Sequence, residues 1–257
     1  MELKTIELIK EDKIATIKLN RPKLLNAVNE ELVWDFQKAT EDVKNDDAIK
    51  VVILTGAGRG FSAGADLSER KASWKGSKDA LMRGYKPFFE NIINMPKPVI
   101  GSISGPAAGI GAAIAMSCDL RVMSEDSYIL SVFSNIALVP DGGLSWYLPK
   151  YMGYSKAYEH AIEAKRITAA DCLKYGIANK VVPLEELESK TLEWAHKLAK
   201  RSSQSLNHTK RLMRESLQVS YWDTFNNEAE IQNELTTSSQ NKEAVKAFFE
   251  KREPNFD

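Results

Sequence analysis

The chain has 257 residues, enough for one large domain or two of ordinary size, and it can bury a full core without disulfide or metal staples. Thirty-five Lys plus Arg balance thirty-five Asp plus Glu, and this zero net charge removes the usual electrostatic motive for binding nucleic acid or an anionic membrane. At 43% hydrophobic and 27% charged, the composition is that of a folded globular protein and excludes a disordered or fibrous one.

The first twenty residues interrupt their apolar positions with charges and contain no signal-peptide core. The chain is therefore expected to start at Met1 and to stay in the cytoplasm. Ile6, Leu8, Ala15, Ile17 and Leu19 alternate around Glu11-Asp12-Lys13, which predicts a β-hairpin closing at Asn20-Arg21-Pro22. Asn29 is placed to cap a helix with Glu30 and Glu31 in its first turn and Leu32, Val33, Phe36 and Ala39 on its apolar face. Val51-Val52-Ile53-Leu54 is a short continuous apolar run, the pattern of a strand buried on both faces. Ser68 to Lys86 is polar, with two glycines, and reads as a mobile loop leading into a helix with Phe88, Phe89, Ile92 and Ile93.

From Pro98 through Ser117 no ionisable side chain occurs, and Cys118 closes a stretch long enough to span a bilayer. Ser102, Ser104, Gly105 and Pro106 interrupt it, so it reads instead as a buried strand at 99–103, a loop, and an Ala-rich buried helix at 110–116. Strands follow at 120–123 and 128–133. Thr168 caps a helix ending near Gly176, and 177–182 is a last short strand. Beyond Pro183 three amphipathic helices are expected, on Leu192/Ala195/Leu198, on Leu206/Leu212/Met213/Leu217 and on Ala244/Val245/Phe248/Phe249. The alternation of strands and helices predicts an α/β core.

Several chemistries find no support. Cys118 and Cys172 have no Cys or His at ligand spacing, so two buried thiols are expected and no zinc site. The glycines of 56–60 have neither dinucleotide-fingerprint nor P-loop spacing, and there is no nucleophile-elbow serine. Two glycine-rich turns remain, Phe61-Ser-Ala-Gly-Ala-Asp66 and Gly105-Pro-Ala-Ala-Gly-Ile-Gly111, each directly after a buried strand. The second feeds a helix whose first N–H groups lack intrahelical partners, which suits either an oxyanion or simply tight strand-to-helix packing. In Val139-Pro-Asp-Gly-Gly143, Asp141 is the one charge between Ser127 and Pro149. A carboxylate in apolar surroundings is a candidate base, although an Asp there could also cap a turn.

Together these segments resemble the crotonase superfamily, the enoyl-CoA hydratase/isomerase family, over nearly the whole chain. The resemblance is carried by Asn20-Arg-Pro22 with Leu25-Asn-Ala27, Val51–Thr55, the two glycine-rich turns, Pro96-Lys-Pro98, Cys118-Asp119, Val139-Pro-Asp-Gly-Gly143 and Ala247-Phe-Phe-Glu-Lys-Arg252. It implies an α/β spiral of repeated ββα units over residues 1–195 and a C-terminal helical trimerisation region over 196–257, assembled as a homotrimer or dimer of trimers. It also implies an acyl-CoA thioester substrate, with no cofactor or metal beyond the coenzyme A of the substrate itself. The thioester carbonyl would be held by backbone N–H groups at Ala63 and at Ile110 or Gly109. Substrate contacts are expected at Arg21, Lys23, Leu25, Ala65, Asp66, Phe133, Ile136, Trp146 and Lys251, with Arg21, Lys23 and Lys251 or Arg252 meeting the CoA phosphates. Phe133, Ile136 and Trp146 would form an apolar wall around Asp141.

The departures from the family pattern matter as much. Its hydratases carry two water-activating glutamates, one in the helix after the second turn and one shortly before the Pro-Asp-Gly-Gly position, and here those places read Ala113 and Phe133. Asp141 instead stands where several isomerases of the family have a single acid. Catalysis with Asp141 would then shift a double bond by removing and returning one proton through a stabilised enolate. The alternatives are a hydratase with altered acids, a dehalogenase or thioesterase with Asp141 as nucleophile, and a silent acyl-CoA-binding subunit.

Overall fold

The structure is a computed structural model that describes residues 2–69 and 72–256; Met1, Asp257, and Arg70 and Lys71 within the expected polar loop, lie outside the described residues. The predicted hairpin is present as β1 (Ile6–Glu11) and β2 (Ile14–Leu19), paired antiparallel through a turn in which Asp12 and Lys13 both take positive φ. Asn29 caps α1 (Glu30–Asn45) by accepting the Leu32 N–H at 3.0 Å. β3 (Val51–Gly56) follows, then a short α2 (Ser77–Asp79), a π-helical turn (Ala80–Tyr85) and α3 (Lys86–Ile93). The stretch expected as a mobile loop is thus largely helical from Ser77 onward.

β4 (Val99–Ile103), β5 (Pro106–Ala108), α4 (Ile110–Ser117), β6 (Leu120–Ser124) and β7 (Tyr128–Leu130) complete the central part. After them come α5 (Leu144–Met152), α6 (Tyr154–Ile162), β8 (Arg166–Thr168), α7 (Ala169–Lys174) and β9 (Lys180–Val182). Four helices close the chain: α8 (Leu187–Ala199), α9 (Ser203–Glu215), α10 (Tyr221–Thr236) and α11 (Ser239–Glu250). α10 is one more than the periodicity predicts. It begins with a Ser220–Asp223 capping box and buries only Ile231, so it carries almost no apolar stripe.

A six-stranded sheet runs in the order β1-β2-β3-β4-β6-β9, and β5-β7-β8 form a second, three-stranded sheet. From β2 onward the large sheet is parallel. Both faces are covered at its centre, which is why β3 and β4 read as unbroken apolar runs. Val52 and Leu54 pack with α1, α3 and α4 residues such as Phe36, Phe88 and Ile114, while Val51 and Ile53 pack with Leu187 and Ala195 of α8. All eight residues of α4 are buried, which accounts for the charge-free stretch. No helix among the described residues is long and apolar enough to cross a membrane.

Two charged side chains, Arg121 buried and Asp119 partly so, hold this arrangement. Arg121 donates to the carbonyls of Ala115, Met116 and Cys118 at the end of α4, to Ile177 O and to the Tyr151 hydroxyl. Asp119 pairs with Lys210 at 2.8 Å and Arg214 at 2.7 Å, docking α9 on the core. Cys118 and Cys172 are free and buried, and desolvation pushes both thiols up to about 12.

Candidate active site

In an open parallel sheet, ligands bind beyond the carboxyl ends of the strands. Here β2, β3 and β4 run in register to the same end, and the chain leaves them through the turns at 20–28, 57–66 and 104–109. Asn26, fully buried, staples two of these turns: its side chain donates to Ala57 O and Gly60 O and accepts the Arg21 N–H. The sequence offered a signal for it only in the Leu25-Asn26-Ala27 match.

The register of the 61–66 turn decides which backbone N–H is free. Ala63 N–H donates to Leu25 O at 2.8 Å, so the donor expected at Ala63 is already committed to structure. A parallel bridge pairs Val28 with Ala65, and its bonds use Gly64 O and Asp66 N–H. In such a bridge the intervening residue points its own N–H to the other side. Ala65 N–H accordingly makes no hydrogen bond among the described residues.

The second turn shows the same division of labour. Gly109 N–H donates to Leu130 O at 2.9 Å, which removes it as a donor, whereas Ile110 N–H opens α4 without a partner. The two turns abut: Gly64 adopts φ +97°, and a Cβ there would lie 2.9 Å from Ala108 O. Ala65 and Ile110 thus present the unpaired N–H groups of two contiguous turns.

The loop that carries Asp141 packs against α4. Gly142 adopts φ +59°, and a Cβ on it would meet Ala113 Cβ at 2.5 Å, Ile110 Cδ1 at 2.9 Å and Phe89 Cζ at 3.1 Å. The Asp141 loop therefore rests on the first turns of α4. Asp141 Oδ1 is buried without a hydrogen-bond partner, and desolvation alone pushes the carboxyl up to about 6. Phe133 is buried, its ring about 4.0 Å from where a Gly109 methyl would stand. Ile136 is 45% exposed and turned outward; Ile110, Ala113 and Phe89 supply the apolar packing expected of it. Trp146 lines a cleft of about 410 Å³ with Gly142, Gly143, Phe89, Tyr85 and Tyr147. Tyr85 was not foreseen.

The enoyl-CoA hydratase/isomerase family pattern matches residues 10–257. The chain is 33% identical over 248 residues to the 1,2-epoxyphenylacetyl-CoA isomerase of Escherichia coli, covering 95% of this chain and 94% of that one. It is also 33% identical over 255 residues to the short-chain-enoyl-CoA hydratase of Clostridium acetobutylicum, covering 98% and 97%. Its fold superposes on the crystal structure of the enoyl-CoA hydratase from Bacillus anthracis with a TM-score of 0.91, at 28% identity, over 99% of this chain and 100% of the other. The chain belongs to the enoyl-CoA hydratase/isomerase family. An acyl-CoA thioester substrate fits that membership.

For such a substrate, the basic residues named from the sequence divide sharply. Arg21 turns inward, bonding Asp66 at 2.9 Å and Ala27 O, so Arg21 and Asp66 brace the turns and the Arg21 guanidinium is already paired with a carboxylate. Hydrogen bonds from Ser68, followed by Arg21, hold the Asp66 carboxyl below its usual range. Lys23 is exposed on the turn before Leu25 and has no ion-pair partner among the described residues. Arg252 is engaged by Glu243 and Glu250. The tail after Lys251 sits with Lys13 and Lys50, at the start of β2 and β3, the opposite end of the strands from the site. The structure does not bring Lys251 to the site of its own chain.

Proposed function

We propose that this family member is an enoyl-CoA isomerase with Asp141 as its single acid-base group. The observation that carries the reading is Asp141 itself: a carboxylate with a buried, unpartnered oxygen and a pKa raised to about 6, seated against the first turns of α4. In a 3-enoyl thioester, the carboxylate removes a proton from Cα and the electron pair moves onto the thioester oxygen. The Ala65 and Ile110 N–H groups donate to that oxygen; one such donor is typically worth about 10²–10³ in rate. The protonated Asp141 then returns the proton to Cγ, the double bond forms between Cα and Cβ, and no atom is gained or lost.

The relatives are named both isomerase and hydratase at equal identity, so the residues favour one reading where the names do not. Ala113 and Phe133 cannot take a proton, and Gly142 packs directly over Ala113. We further propose that Lys23 meets the CoA phosphates and that the chain works in the reducing cytoplasm, which its free thiols suit. Tyr221, Trp222, Phe225, Phe248 and Phe249, all at least half exposed on α10 and α11, support assembly as a trimer. The test of the chemistry is proton exchange: in deuterated water the enzyme exchanges α and γ hydrogens of a 3-enoyl thioester, and Asp141→Asn stops it. Unchanged exchange in that variant, or hydration without exchange at Cγ, overturns the assignment.

A further inference from the structure

The cleft beside Asp141 is apolar, walled by Leu81, Phe89, Ile93 and Trp146, and most of its polar lining is internally satisfied. Lys86 pairs with Glu90 at 3.4 Å. Arg214 binds Asp119 and Ser117 O, and its positive charge acts on the Tyr147 phenol. Gln218 is exposed at the rim. Tyr85 stands apart: it is half-buried, lines the same cleft, makes no hydrogen bond among the described residues, and has the carboxylates of Asp141 and Glu69 rather than a cation as its charged neighbours. A phenylalanine would line the wall equally well without the cost of desolvating a hydroxyl.

The position of Tyr85 is also fixed. It ends the π-helical turn, a geometry that often marks functional positions, and its ring packs on Phe88 at 5.8 Å between centroids. The preceding segment is fastened to α1. Glu30 accepts from Ser73 N–H and Oγ–H and from Trp34 Nε1–H, and Trp74 packs on Trp34 at 5.3 Å. Gln37 donates to the carbonyls of Arg83 and Gly84. Burial, followed by the charges of Asp141 and Glu69, pushes the phenol up to about 12, so Tyr85 stays protonated at any working pH and acts as a donor.

Taking the cleft as the acyl pocket of the proposed isomerase, we infer that Tyr85 is a specificity residue whose hydroxyl donates to an oxygen carried by the acyl group. The substrate class is then an oxygenated acyl-CoA, bearing a hydroxyl, ether or keto oxygen along the chain, in preference to a plain hydrocarbon one. Asp141 and Tyr85 would contact the same acyl group, one moving protons and the other selecting it.

The test uses binding of unreactive ligands, so it does not depend on turnover. Dissociation constants are measured by calorimetry for hexanoyl-CoA and for its analogues with one hydroxyl at C3, C4, C5 or C6. In the wild-type enzyme at least one analogue is expected to bind about three- to tenfold more tightly than hexanoyl-CoA, the range of one neutral hydrogen bond. In Tyr85→Phe that ratio is expected to fall to about one. No preference at any position in the wild-type enzyme, or a preference that survives in Tyr85→Phe, overturns the inference. An enzyme that shows the Tyr85-dependent preference but exchanges no substrate protons would overturn the isomerase reading and leave this one standing.

Discussion

Gly142 lies so close over Ala113 that a methyl on the glycine would stand 2.5 Å from the alanine Cβ. This contact joins the loop that carries the candidate base to the helix that presents the Ile110 N–H, and it depends on both residues being small. Gly142→Ala adds the clash and an unfavourable positive φ, and is expected to cost about 1–3 kcal/mol in urea unfolding. Gly142→Ala combined with Ala113→Gly relieves the clash at Ala113 but not the close approaches to Ile110 and Phe89 or the φ strain, so part of that loss is expected to return. A double-mutant cycle with no coupling would show that the two residues do not bear on each other. Ala113→Glu places a long acid under the same loop; reduced isomerisation and no gain in hydration are expected from that change alone.

The raised pKa of Asp141 gives two pH signatures of opposite sense. The base must be ionised, so kcat/KM is expected to rise with pH through about 6 and then level. For stability, the folded state holds the proton more tightly than the unfolded chain, whose carboxyl has the ordinary value of 3.8. Stability due to this group is therefore full below about 4, is lost as pH rises toward 6, and stays reduced above it. Asp141→Asn removes that loss. It is expected to be more stable than the wild-type protein by on the order of 1–3 kcal/mol at pH 7.5 and no more stable at pH 4, as read from thermal melts at the two pH values.

Ile110 allows a backbone donor to be deleted by substitution. It is the first residue of α4, where proline is tolerated because the N–H has no intrahelical partner. Ile110→Pro should keep the helix, which circular dichroism would show, and lower kcat by about 10²–10³ if its N–H faces the enolate oxygen. Ile110→Ala keeps the N–H and loses core packing, as Ile110→Pro also does; it is expected to cost less than about tenfold in kcat. Equal losses in the two variants would remove the Ile110 N–H from the mechanism.

What the sequence made legible follows from the range of the interactions involved. Asp141 stood out because no other charge lies near it in the chain, and its isolation in sequence became desolvation in the fold. The strands at 51–54 and 99–103 were readable because both their faces are buried. The donor at Ala65 was not readable, because the choice between Ala63 and Ala65 rests on the Val28–Ala65 bridge, and a shift of register reverses which N–H groups face the partner strand. Arg21 and Arg252 looked like phosphate ligands until their carboxylate partners, 45 and 9 residues away, came into contact. Tyr85 stayed hidden in a polar stretch whose helical part contains a π turn, a feature with no periodicity to detect.

Asp119 is the other position whose role only the fold exposes, and it supports the last prediction. Its carboxylate accepts the Val99 N–H at 2.8 Å and pairs with both Lys210 and Arg214, ninety-one and ninety-five residues later. Both cations are largely withdrawn from water, and burial holds Lys210 below the usual lysine range against the pull of Asp119. Removing the one acid leaves two partly buried cations facing each other, a situation that typically costs about 3–5 kcal/mol. Asp119→Ala is therefore expected to release α9 from the core before the sheet itself melts. Hydrogen exchange would report this as faster exchange in 203–215 with β2, β3 and β4 still protected. Because Arg214 and Tyr147 border the cleft beside Asp141, acyl-CoA binding should weaken in the same variant, whereas Lys246→Ala, which breaks only an exposed pair with Glu250, should change neither.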